Sequence, residues 1–304
     1  MPRPADDPAP QPILKWAGGK KQLLPAILPR LPARIRTYYE PFVGGGAVFF
    51  ALAAERRFER AVLSDRNAEL VNLYRVVRDE LDALCAALEP HQARATDATW
   101  FYAVRGWLPE ELDPVEQAAR MLFLNKTCFN GLYRVNRQGR FNAPFGRYER
   151  PRVLDRARLE AAHRALQGVD LRCADFADVA LEAGREDAVY FDPPYAPVSR
   201  TASFESYQPG GFGAEAQARL VDVYRRCWSR GATAVLSNSH TALTRDLYRA
   251  LDVQIVRASR AINSNPSRRG PVEELLVVGP KATVQASRAR VGDSALPPPR
   301  VAAS

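Results

Sequence analysis

The residues most able to do chemistry stand in a few short segments, and the sharpest is Val189-Tyr190-Phe191-Asp192-Pro193-Pro194-Tyr195. Here an apolar run stops at an acid, two prolines and a tyrosine. The prolines fix φ and forbid helix, so the end of the strand is rigid, at the carboxyl edge where α/β sheets place their ligands. Such a turn suits a flat heteroaromatic ring. The Asp192 carboxylate and the main-chain carbonyl of Pro193 can each accept a hydrogen from an exocyclic amine. The ring of Tyr195 can stack on the base for roughly 1–3 kcal/mol. An amine held in this way loses conjugation with its ring and turns its lone pair toward a sulfonium methyl group. Asp192 then favours the positive charge that develops. A loop that merely ends a strand needs no such order of residue types, so the chemical reading is the stronger one.

A second constellation is Glu40-Pro41-Phe42-Val43-Gly44-Gly45-Gly46, followed by an apolar helical run over 47–54. Glycines at a strand-to-helix turn let the backbone pass close to a ligand. Asp65 follows about 20 residues later, the offset at which a carboxylate binds ribose hydroxyls. Together they suggest an adenosine-containing ligand, although such turns also serve packing alone and dehydrogenases share the layout. A third stretch interleaves Lys126, Arg134, Arg137, Arg140 and Arg147 with Phe129, Tyr133, Phe141, Phe145 and Tyr148. Basic groups reach phosphates and aromatics meet bases, which is the composition of a nucleic-acid contact. Phe141 and Phe145 also fit a small core belonging to the stretch itself. Residues 263–270, with Arg268 and Arg269, form a basic loop that either grips phosphates or is simply solvated. Ser237-Asn238-Ser239-His240 closes a strand and could line the pocket, but residues of these types at a strand end usually just turn the chain, and that reading is preferred.

The elements that must position these groups follow from hydrophobic patterning. Strands are expected at 37–42, 61–64, 170–173, 188–191, 233–237, 253–258 and 274–278, alternating with amphipathic helices as in a doubly wound α/β fold. The last two flank a loop too short for a crossover helix, which predicts an antiparallel pair at the end of a mostly parallel sheet. Residues 68–148 break the rhythm with helical patterns at 69–88 and 114–124, followed by the aromatic, basic stretch. They read as an inserted, mainly helical domain. The remaining core, 12–67 and 149–280, carries the sheet. The ends, 1–11 and 281–304, are rich in Pro, Ala, Ser and Arg and read as disordered tails.

The 304 residues carry a formal charge of +9 and a pI near 9.6. Such an excess favours a polyanionic partner, with nucleic acid ahead of membrane. The tail at 281–304 holds four basic residues against Asp293, so most of the excess belongs to the folded part. No apolar run reaches the roughly 20 residues that span a bilayer, and no positive-then-apolar leader opens the chain. These features predict a cytoplasmic protein. Cys85, Cys128, Cys173 and Cys227 are dispersed, as are His91, His163 and His240, so neither a disulfide framework nor a metal site is expected.

The two chemical motifs occur together with Lys15-Trp16-Ala17-Gly18-Gly19-Lys20, with Phe129-Asn130-Gly131-Leu132-Tyr133-Arg134 and with Phe141-Asn142-Ala143-Pro144-Phe145-Gly146-Arg147-Tyr148. From about residue 13 to 278 the chain resembles the Dam-type, D12-class DNA adenine-N6 methyltransferases. The resemblance implies a Rossmann-like methyltransferase sheet, S-adenosyl-L-methionine as cofactor, double-stranded DNA as partner, no metal and a monomer. It implies cofactor contacts at Trp16, Lys20, Phe42, Gly44, Gly46, Asp65, Asp175 and Asp192, and catalysis by Asp192, Pro193, Pro194 and Tyr195. Further, it implies DNA contacts at Lys126, Phe129, Asn130, Leu132, Arg134, Pro144, Arg147, Tyr148, Arg268 and Arg269. Phe129 would be the wedge in the base stack, Arg134 would read a guanine and Leu132 would touch a thymine methyl, which points to GATC. Gly45 and Lys126 depart from the family's commoner residues, and an arginine is usual at the second. A solitary methylase and the partner of a restriction nuclease are both compatible with the motifs. A cytosine-N4 or RNA-amine methyltransferase is the enzymatic rival, and an inactive DNA-binding module the non-enzymatic one.

Overall fold

The computed structural model describes residues 8–16, 18–136, 138–195, 212–259 and 271–280. The basic loop with Arg268 and Arg269, together with Ala17, Arg137, residues 1–7 and the segment 281–304, lies outside the described residues.

A seven-stranded sheet organises the chain. β1 is Ile35–Glu40, β2 Phe58–Asp65, β3 Asp170–Cys173, β4 Ala188–Phe191, β5 Thr233–Ser239, β6 Leu251–Ser259 and β7 Pro271–Pro280. Their order is β3-β2-β1-β4-β5-β7-β6. The first five strands are parallel to their neighbours, whereas β7 runs antiparallel to both β5 and β6. This is the mostly parallel sheet with a terminal antiparallel pair that the patterning predicts. Because the chain winds outward from β1 through β2 to β3 and then resumes at β4 on the other side of β1, the strand order reverses between β1 and β4. In open α/β sheets, ligands bind outside the carboxyl ends of the strands at such a switch point. The glycine turn leaves β1 there, and Asp192 ends β4.

Alternation along the strands divides the core between the sheet's two faces. Tyr38, Ala61, Leu63, Ala188, Tyr190 and Val235 enter one hydrophobic cluster, while Tyr39, Val62, Val189, Phe191, Ala234 and Leu236 enter the other. A period of two buries both sets because helices cover both faces. The second face is closed by α8 (Phe176–Ala180), α9 (Ala214–Ser229) and α10 (Ala242–Leu247). The first is closed by α1 (Leu24–Ile27), α2 (Ala47–Glu55), α3 (Ala68–Asp79), α4 (Leu81–Ala93), α5 (Ala98–Gly106), α6 (Pro114–Thr127) and α7 (Arg156–Leu166). Residues of the 68–148 segment, among them Leu70, Leu88, Phe101 and Phe123, therefore share one apolar cluster with this face of the sheet.

The helical pattern at 69–88 resolves into two helices. α3 stops at Glu80, whose φ of −134° leaves the helical region, and α4 starts one residue later. The pattern conceals this break because the buried positions Leu70, Tyr74, Val77, Leu84, Leu88 and His91 keep one phase across it. α6 begins as its sequence dictates, with Asp113 and Glu116 forming a capping box and Pro114 in the first turn. It runs three residues past the expected 124, to Thr127, and so carries Lys126 in its last turn.

Candidate active site and nucleic-acid interface

Asp192 projects from the end of β4 with 20% of its side chain exposed. Its Oδ1 is held at 2.8 Å by the Lys20 ammonium and at 3.1 Å by the hydroxyl of Ser237 on β5. Ser237 Oγ also lies 2.8 Å from the hydroxyl of the fully buried Tyr190. Among the described residues nothing donates to Oδ2. Burial raises the Asp192 pKa above the usual carboxylate value, and Lys20 opposes that rise. The ring of Tyr195 lies under the same ammonium, 4.7 Å from its centroid, and the Tyr195 hydroxyl donates to Glu274 on β7. Lys20 therefore touches both Asp192 and Tyr195 while being only 3% exposed itself.

The glycine turn sits beside this group. Gly44 and Gly46 have φ of +46° and +68°, which side chains other than glycine's rarely tolerate. A Cβ on Gly44 would fall 2.8 Å from Cδ1 of Trp16, so the indole seals the turn. The half-buried Asp65 carboxylate, at the end of β2, accepts the amides of Gly44 at 3.1 Å and Asn67 at 3.0 Å. Burial raises its pKa as well, against those amides. Phe42 stacks on Phe176 at 5.2 Å and meets Phe212 edge-on at 5.6 Å, making an apolar wall. Asp175 caps α8 through the amide of Ala177 and pairs with Arg219. Thus Phe42, Gly44, Gly46, Asp65, Asp175 and Asp192 all lie along the carboxyl edge of β3-β2-β1-β4, with Trp16 and Lys20 laid across them. Beneath the turn, Glu40 accepts hydrogen bonds from the Tyr38 hydroxyl and the Phe49 amide, and burial pushes its pKa up to about 8.

The segment after α6 forms a sparse hairpin. Bridges join Cys128 to Phe145 and Val135 to Phe141, and the Phe129 amide donates to the Pro144 carbonyl. Asn130 (φ +58°) and Gly131 (φ +64°) are consecutive left-handed residues, and the turn they make leaves Phe129 49% exposed. Asn tolerates that region better than most side chains. Among the described residues Tyr102, Leu243 and Ile255 are the other large apolar side chains that are exposed. Arg134 is exposed, its guanidinium braced by the side chain of Asn142 at 2.7 Å and the Asn142 carbonyl at 3.1 Å. Leu132 is half-buried, Pro144 and Arg147 are exposed, and the half-buried Tyr148 lies under the Lys15 ammonium at 5.0 Å. Phe141 and Tyr133 are buried in the main cluster and Phe145 packs against it, so these rings anchor the hairpin to the body of the protein and do not make the separate small core that the stretch was expected to hold. Lys126 is half-buried rather than surface-exposed, and burial pulls its pKa down to about 8.

Several residues take a part in the site that the sequence did not assign to them. Ser237 binds Asp192, which corrects the expectation that the Ser237–Asn238 segment only turns the chain; both residues are fully buried. Glu274 and Gln217 hold the turn after Asp192, and no local pattern marks either. Lys15 and Trp16 tie the hairpin to the sheet. Asn125 bonds the Lys15 backbone in both directions, and Trp16 stacks on Tyr133 at 5.2 Å. Among the described residues no cluster of three metal-ligating side chains occurs, and no helix is long and apolar enough to cross a membrane.

The family model described as D12 class N6 adenine-specific DNA methyltransferase matches residues 16–262. The chain is 38% identical over 273 residues to the Type II methyltransferase M1.LlaDCHI of Lactococcus lactis subsp. cremoris, covering 88% of this chain and 94% of that one. It is 39% identical over 284 residues to the Type II methyltransferase M.MjaIII of Methanocaldococcus jannaschii, covering 88% and 98%. It is 37% identical over 267 residues to the DNA adenine methylase of Escherichia coli strain K12, covering 88% and 94%.

Proposed function

Since the chain belongs to the D12 class of N6 adenine-specific DNA methyltransferases, we propose that it transfers the methyl group of S-adenosyl-L-methionine to N6 of an adenine extruded from duplex DNA, with GATC as its target. The observation that carries this reading is the Asp192 turn at the topological switch point. One carboxylate oxygen is immobilised by Lys20 and Ser237, the other has no described donor, and an aromatic ring stands beside it. A base amine is a donor of the type that Oδ2 lacks, and the Pro193 carbonyl is a second acceptor for it.

The residues along the carboxyl edge fit the cofactor by their chemistry. Asp65 keeps acceptor capacity for ribose hydroxyls beyond its two amides, Lys20 can neutralise a carboxylate, and Asp192 can take an ammonium. Phe42 and Phe176 offer an apolar wall to an adenine ring, with Asp175 at its rim. When bound, the cofactor supplies an activated methyl group on a sulfonium. The protein's share is positional and electrostatic. Asp192 and the Pro193 carbonyl orient the amine, Tyr195 stacks on the base, and the Asp192 charge favours the cation that forms on nitrogen.

The hairpin supplies recognition in this proposal. Phe129 replaces the extruded base in the stack, a role its exposure suits. The braced Arg134 fork reads guanine O6 and N7, and Leu132 meets a thymine methyl. Asn130, Pro144, Arg147 and Tyr148 lie on the same segment, and Lys126 precedes it in the last turn of α6. The enzyme works as a monomer on cytoplasmic DNA. Radiolabelled cofactor offered with duplexes that carry or lack GATC tests the proposal. Label confined to adenines of GATC is expected, and label spread over other sequences or absent from all duplexes overturns it.

A further inference from the structure

Beyond the residues that face the turn, a buried chain of amides reaches it from behind. Gln217 on α9, Asn238 on β5 and Tyr248 after α10 are fully buried. Asn238 Oδ1 accepts the Ser239 amide at 2.8 Å. A backbone amide can only donate, so this contact fixes which end of the Asn238 carboxamide is oxygen. Asn238 Nδ2 then donates to Gln217 Oε1 and to the Tyr248 hydroxyl, each at 2.9 Å. With its oxygen so occupied, Gln217 can present only Nε2 to the other side, where it meets the Pro194 carbonyl at 3.3 Å. The relay starts at a group that only donates and ends at one that only accepts. It therefore closes in one polarity.

We propose that Gln217 is a positioning residue for methyl transfer, holding the Pro194 peptide through a relay set by Asn238. In that way it aims the Asp192 carboxylate and the Pro193 carbonyl. This inference rests on the Asp192 turn being the transfer site. Prolines stiffen φ within the turn, but they do not orient it against the sheet. The orientation comes from outside contacts, and among the described residues Gln217 provides the one to the backbone. A reversed amide would set oxygen against oxygen at Pro194, leaving a part-buried acceptor without a donor.

The test compares Gln217→Met, similar in length and apolar, with Asn238→Asp. The second variant does not touch the turn and, assayed above the pH at which its buried carboxyl ionises, replaces the donor that faces Gln217 with an acceptor, which rotates the glutamine. Both should lower the single-turnover transfer rate by roughly ten- to hundredfold, while cofactor and duplex dissociation constants move by less than about threefold. The double variant should be no slower than Gln217→Met alone, because both act through one contact. An unchanged transfer rate, or parallel loss of rate and both affinities, overturns the proposal. If Gln217→Met fails to fold, Asn238→Asp decides the matter by the same readouts. Failure of the underlying reading is separate, since the wild-type protein would then label no adenine at all. A crystal structure of Gln217→Met would in that event still test the geometry, and a Pro194 carbonyl in its original place overturns it.

Discussion

Glu40 offers a prediction whose size follows from the structure. Its carboxyl is 2% exposed, accepts hydrogen bonds from Tyr38 and Phe49, and faces the negative charge of Asp192; its pKa rises to about 8. Burial is the largest cause, because a charged carboxylate loses its hydration there. The unfolded chain releases this proton near 4.5, the ordinary value for glutamate. Between pH 4.5 and about 8 the folded protein therefore holds a proton that the unfolded chain has given up. The resulting stabilisation is complete below pH 4.5 and is lost as pH rises through the window. Each pH unit inside it costs about 1.4 kcal/mol, or about 5 kcal/mol across the whole window. Glu40→Gln keeps an acceptor for Tyr38 and Phe49 and removes the titration. Urea unfolding of both proteins at intervals from pH 5 to 8 should show the wild type losing several kcal/mol relative to the variant. Parallel pH profiles, or a Glu40 carboxyl that titrates near 4.5 by NMR, would refute the reasoning. A protonated Glu40 also spares Asp192 a second negative charge, so transfer should decline on the alkaline side in the wild type and less so in the variant.

Other expectations concern the reaction itself. Asp192→Ala should abolish transfer but leave most duplex affinity in a filter-binding or anisotropy assay, since the proposed DNA contacts of the hairpin lie elsewhere; loss of all binding would contradict its assignment. Arg134→Ala should cost roughly 1–3 kcal/mol of discrimination at one guanine, measured as the ratio of rates on matched and substituted duplexes. Equal weakening on every sequence would make Arg134 a phosphate contact. Phe129→Ala should slow transfer on a matched duplex and recover on one with a mismatch at the target adenine, where less stacking and pairing energy opposes extrusion. Equal slowing on both substrates would exclude a wedge role.

Much of this protein is written locally. The prolines after Asp192 and the glycines after β1 impose backbone geometry by themselves, and the alternation of apolar residues announces strands buried on both faces. The sheet class, the terminal antiparallel pair and the place of the rigid turn after Asp192 could therefore be read without coordinates. Local signals fail wherever the deciding contact is remote. Ser237 meets Asp192 across 45 positions and Glu274 meets Tyr195 across 79, so neither carries a mark that neighbouring residues could reveal. The break at Glu80 is silent because the buried phase continues through it, and the burial of Lys126 depends on what α6 packs against. The sequence alone determined which groups can accept, stack and turn. Only the tertiary structure decided which of them meet and which amide faces which carbonyl, because hydrogen bonding and desolvation depend on distance in space rather than along the chain.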